Sequence, residues 1–142
     1  MHHELLPGIE SGHWRGTSEL WLDPLGNEVL TSACELAVSK DEISYTWSKG
    51  DKHHEGRFVF GDDGAVFWSD SFHQSEPTRQ EVRDDWSLLS LFYSYGAGEG
   101  PDWGWRTAFS ERPDGSLVLQ MTNVTPWGEE GRAVRMVLER LA

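Results

Sequence analysis

The 142 residues predict an all-β protein, an antiparallel meander of about nine to ten strands closed into a barrel. Short runs alternate apolar and polar residues at the two-residue period of half-buried strands. Turn signals break the chain roughly every dozen residues, and no long amphipathic helix or internal repeat interrupts the rhythm. Eight tryptophans, at 14, 21, 47, 68, 86, 103, 105 and 127, fall mostly inside those runs. A flat meander of this many strands would expose two edges, which closure removes. The interior is then either filled by side chains or holds one small ligand.

The first strand spans residues 13–22 and ends at Asp23-Pro-Leu-Gly-Asn27, a turn composition. The second spans 28–38 and closes over 39–42. The third, 43–48, alternates cleanly, with Ile43, Tyr45 and Trp47 on one face and Ser44, Thr46 and Ser48 on the other. Strands at 53–60 and 65–72 flank the turn Gly61-Asp-Asp-Gly64. The stretch 73–85 reads as a polar connection, where Thr78-Arg-Gln-Glu81 has capping-box spacing suited to one short helical turn. Strands resume at 86–95 and 103–111 around the Gly-rich loop 96–102. Arg112-Pro-Asp-Gly115 is a tight turn, and strands at 116–124 and 132–141 complete the set.

Residues 1–142 are expected to form one domain, with 1–10 as an N-terminal extension and enough chain to bury a core without metals or disulfides. The lone Cys34 cannot form an internal disulfide and suits a reducing compartment. The N-terminus lacks an apolar secretory core, and no stretch is long enough to span a bilayer, so a cytoplasmic protein without membrane insertion is expected. A formal charge of −12 with no Lys/Arg cluster argues against nucleic acid. Monomer and homodimer are both left open.

The segment Ser11-Gly-His-Trp-Arg-Gly16 resembles the Gly-x-Trp signature of the calycin superfamily, which contains lipocalins, fatty-acid-binding proteins and nitrobindin-like barrels. The order of motifs is most similar to a family of bacterial lipocalin-like barrels. Trp68-Ser-Asp70 falls near mid-chain, Trp105-Arg106 follows, and Gly131, Arg135 and Arg140 lie in the last strand. The resemblance implies an up-and-down β-barrel with Trp14 plugging one end under a late basic side chain, Arg135 or Arg140. The helix-turn-helix lid of the fatty-acid-binding proteins is missing. Nitrobindin-like barrels bind haem through a histidine late in the chain, whereas the last histidine here is His73, so no cofactor is expected.

Adjacent His53 and His54 point to opposite faces of a strand and cannot ligate one ion, so no metal site is expected. His2 and His3 read as a plain terminus. His54 shares parity with Phe58 and Phe60 and faces either the cavity mouth, as a proton carrier, or solvent. Asp70 shares parity with Val66, Trp68 and Phe72. A two-residue loop at Asp63-Gly64 would set it opposite Arg57 on the surface, whereas a three-residue loop with a bulge would put it inside beside Phe58 and Phe60. Arg106 and Arg135 face outward if their tryptophan and apolar neighbours face inward. Tyr45 is a better interior candidate, and Ser90, Asn123 and Cys34 are further polar points. The loop 96–101 matches no phosphate-binding pattern, and no nucleophile elbow is present.

The leading expectation is therefore a barrel that binds a small, mainly hydrophobic or aromatic molecule, walled by Tyr45, Trp47, Phe58, Phe60, Trp68, Trp103 and Trp105. The alternative is a cofactor-free cyclase, isomerase or lyase acting on an apolar substrate, with Asp70 or His54 as acid or base. A ligand-free barrel acting through its surface is the third.

Overall fold

The computed structural model describes residues 5–23, 27–96 and 98–141. Ten strands follow in order: β1 (Gly12–Trp21), β2 (Val29–Val38), β3 (Glu42–Lys49), β4 (Lys52–Phe60), β5 (Val66–Asp70), β6 (Gln74–Arg83), β7 (Leu89–Tyr95), β8 (Trp103–Glu111), β9 (Leu117–Val124) and β10 (Glu130–Arg140). Each pairs antiparallel with its chain neighbours, and β1 pairs with β10 to close an up-and-down barrel. The expected turn at residues 24–26, the terminal His2 and His3, and Ala97 of the Gly-rich loop lie outside the described residues.

The inward faces follow the two-residue period. Trp14 and Leu20, Cys34 and Leu36, Ile43, Tyr45 and Trp47, Trp105 and Phe109, and Leu119 and Met121 are all buried. The β4–β5 hairpin turns through three residues: Gly61 N–H bonds Ala65 O, Gly64 N–H bonds Gly61 O, and Gly64 takes φ +85°. That left-handed residue is the bulge glycine of the three-residue hairpin, a position costly for any side chain. The resulting register sets Gly56 opposite Asp70 and Phe58 opposite Trp68. Asp70 therefore faces inward, and Arg57 instead pairs with Glu42 at 3.4 Å on the outside. The same loop recurs at 112–116 and 125–129.

Two expectations need correction. Residues 73–85 contain no helical turn; most of the stretch is strand β6. Its inward positions Thr78 and Gln80, set against Trp68 and Val66, are polar. The apolar alternation that betrays a strand was therefore absent. The strand expected at 86–95 begins only at Leu89, and Trp86 stands in the β6–β7 connection at 105% exposure. The β6–β7 pairing is short, limited to Glu81–Phe92, Val82–Leu91 and Arg83–Ser90. Thr78–Val82 and Phe92–Ser94 line an external groove of about 600 Å³ there.

The two ends of the barrel differ. At one end residues 5–10 fold back, with an Ile9 N–H bond to Leu6 O, and Leu6 and Ile9 join the core. Trp14 lies at this end under Arg140, whose guanidinium is 4.8 Å from the ring centroid and donates to Glu10 O and Ser11 O. Of the two arginines considered, Arg140 covers the tryptophan, while Arg135 pairs with Glu19 at 3.9 Å. The other end carries the connections β1–β2, β3–β4, β5–β6, β7–β8 and β9–β10. Leu22, Leu30, Phe72 and Trp127 are exposed there. No helix of the described residues is long and apolar enough to cross a membrane.

Candidate functional site

Towards the end that carries the β1–β2, β3–β4 and β5–β6 connections lies a cluster of buried aromatic side chains organised by one carboxylate. Tyr45, Gly56 and Asp70 stand in a row across β3, β4 and β5. A Cβ at residue 56 would lie 2.2 Å from the Tyr45 hydroxyl oxygen, so glycine there lets the phenol cross β4. Tyr45 Oη donates to Asp70 Oδ2 at 2.6 Å and accepts from Trp68 Nε1 at 2.9 Å. Trp47 Nε1 donates to the same Oδ2 at 3.3 Å. Asp70 Oδ1 accepts the backbone N–H groups of Phe72 and His73, at 2.8 and 3.0 Å. Four donors thus occupy the four acceptor positions of a carboxylate. Burial, together with the Asp70 charge, pushes the Tyr45 phenol well above its ordinary range.

The two backbone bonds to Oδ1 make Asp70 the cap of the β5–β6 turn, which bends the chain back at this end of the barrel. His73 is carried inward by that turn. Its ring lies 5.0 Å from the Trp105 ring, 5.8 Å from Trp47 and 6.5 Å from Trp68. Trp68 in turn stacks on Trp105 at 5.5 Å. Desolvation outweighs the nearby Asp70 charge and lowers the His73 pKa to about 4, so its imidazole is neutral at pH 7. His73 Nε2 and Trp105 Nε1 are buried without a hydrogen-bond partner. Buried polar groups are ordinarily paired, so two orphans beside each other are unusual.

Of the seven expected wall residues, Tyr45, Trp47, Phe58, Trp68 and Trp105 come together in the buried core. Phe60 is partly buried and packs against this core, and Trp103 lies apart from it. Phe60, opposite Val66, ends β4 towards the sealed end, and Trp103 begins β8 at the open rim, edge-on to Trp127 at 6.3 Å. His54 stacks on Trp47 at 4.8 Å near the opening, and its Nδ1 is 2.9 Å from Ser71 Oγ. Sequence reasoning missed His73, which it assigned to a polar connection. The signal was the Asp70-x-x-His73 spacing, in which an aspartate capping its own turn aims the third residue on.

No protein-family model and no curated protein matches the chain. The site therefore speaks through its chemistry. Arg106 faces outward as expected and pairs with Glu130 at 2.7 Å. Asn123 faces inward and accepts from Tyr95 Oη at 2.6 Å. Ser90, opposite Ala108, is on the outer face of β7, contrary to expectation, because Leu89 and Leu91 take the inner one. Cys34 is buried, and desolvation pushes its thiol up to about 12. Among the described residues no group of three or more His, Cys, Asp or Glu side chains could hold a metal ion.

Proposed function

We propose that this protein is a calycin-like, lipocalin-like barrel that binds a small, mainly hydrophobic or aromatic molecule through its open end. The observation that carries this reading is the buried aromatic cluster around Asp70, in a barrel whose two ends are built differently. One is sealed by residues 5–10 and the Trp14–Arg140 pair. The other exposes Leu22, Leu30, Phe72 and Trp127 around the approach to Trp47, Trp68 and Trp105. The Phe72–His73 turn covers that approach and acts as its gate. The buried, unpaired Cys34 fits a reducing compartment, and we take that compartment to be the cytoplasm.

Native mass spectrometry of freshly purified, untagged protein tests the reading. An added mass that is lost on denaturation, and lost from a Trp68→Ala/Trp105→Ala variant, supports it. A bare mass near 16.1 kDa, with no change in tryptophan emission across a library of aromatic compounds, overturns it.

A second reading, a cofactor-free isomerase, cyclase or lyase on the same scaffold, draws on His73. Its neutral imidazole presents a free ring nitrogen inside the barrel, as a general base must. Asp70 already accepts four hydrogen bonds, and His54 is tied to Ser71. In this reading Asp70 and His54 position the site and His73 moves the proton. Turnover of a bound compound, abolished by His73→Gln with binding retained, distinguishes catalysis from carriage.

A further inference from the structure

The two unpartnered atoms beside the gate define what the site asks of its occupant. Trp105 is 5% exposed, and its indole N–H has no acceptor; an indole nitrogen can only donate. His73 Nε2 is buried too, on a half-buried ring, and faces the same aromatic surroundings as a neutral imidazole. Charge is handled differently. Asp70 is spent on its own four donors, and the arginines found in ion pairs, 15, 57, 83, 106 and 135, bond acidic side chains on the outer surface. Arg140 is committed to Trp14, and Lys49 stands at the rim against Phe72, 5.2 Å from its ring centroid. Among the described residues no Lys or Arg is buried, so a bound carboxylate would meet the Asp70 charge without a buried cation to offset it.

We propose that the ligand is an uncharged aromatic molecule carrying an oxygen acceptor, its ring against Trp68 and Trp105 and its oxygen taking the Trp105 N–H, with His73 Nε2 completing the polar contact. A carbonyl suits one His73 tautomer and a hydroxyl the other, and both satisfy the indole. Anionic lipids and aromatic acids are excluded by the same arrangement. This inference rests on the binding reading above and adds the chemical class.

Three matched probes test it on the intact protein by isothermal titration and tryptophan emission at pH 7: 2-acetylnaphthalene, 2-ethylnaphthalene and 2-naphthoate. The expected order is the ketone about tenfold tighter than the hydrocarbon, as for one neutral hydrogen bond net of solvation, with the carboxylate weakest. Trp105→Phe, which keeps an aromatic ring and loses the donor, is expected to remove the ketone's advantage, read as the ratio of ketone to hydrocarbon affinity within that variant. The wild-type comparison stands even if that variant fails to fold. Equal binding of ketone and hydrocarbon, or preference for the carboxylate, overturns the inference and leaves the binding reading intact. Failure of all three probes to bind at millimolar concentration, together with a bare native mass, overturns both.

Discussion

Tyr45 occupies the space that a side chain at residue 56 would fill: a Cβ on Gly56 would stand 2.3 Å from the phenol Cζ and 2.2 Å from its oxygen. The β4 backbone thus serves as the floor over which the hydroxyl reaches Asp70. Gly56→Ala is expected to destabilise the fold by about 2–4 kcal/mol, because ring and strand must separate and the buried hydrogen bonds go with them. Tyr45→Ala in the same chain removes the obstacle, so the double variant should lose less than the sum of the two singles. Urea unfolding of the four proteins measures the coupling.

The pH dependence of stability reports on His73. Above pH 6.5 its ring is neutral in both the folded and unfolded chains. Between 6.5 and about 4 the unfolded chain binds a proton that the fold refuses, so stability falls as pH falls. Below about 4 both states are protonated and this contribution levels off. Its full size is up to about 3 kcal/mol. Subtracting the profile of His73→Phe from that of the parent should isolate the slope; identical profiles would place His73 outside the core.

Arg140 closes the sealed end with a cation–π contact to Trp14 and two hydrogen bonds to the carbonyls of Glu10 and Ser11. Arg140→Ala should cost about 1–2 kcal/mol. A double-mutant cycle with Trp14→Leu should return about 0.5–1 kcal/mol of coupling. Arg135→Ala, whose partner is a glutamate 3.9 Å away on the surface, should cost under about 1 kcal/mol.

Cys34 is expected to stay silent towards Ellman's reagent at pH 8 in the native protein. Its thiol is buried and its pKa stands at about 12, so almost no thiolate forms. The same reagent should titrate one thiol in denaturant. Fast labelling of the native chain would mean that β2 opens locally.

The barrel was legible in the sequence because period-two alternation is a local property. Tyr45, Trp47, Phe58, Trp68 and Trp105 share the inward parity that their neighbours announce. Height along the barrel axis is not local, so parity alone does not separate Trp103, at the rim, from residues in mid-barrel. Asp70 hung on a single residue of loop length, decided by the left-handed Gly64. His73 and β6 were illegible for a different reason. Thr78 and Gln80 face inward, Pro77 sits within the strand, and the pattern that reveals strands elsewhere is absent there.

The short contact between β6 and β7 gives this barrel a preferred way to come apart. Three residue pairs join the two strands, whereas β1 and β2 share ten in register and β8 and β9 share eight. Local opening should begin where the fewest ladder bonds must break. Amides of 79–83 and 90–93 should exchange with deuterium well before those of β1, β2 and β9. Once parted, β6 and β7 become the free margins of an unrolled sheet, ready to pair with another opened copy. Aggregation during heating would then propagate from this line, and a disulfide across the paired positions Glu81→Cys/Phe92→Cys should both slow that exchange and delay the turbidity.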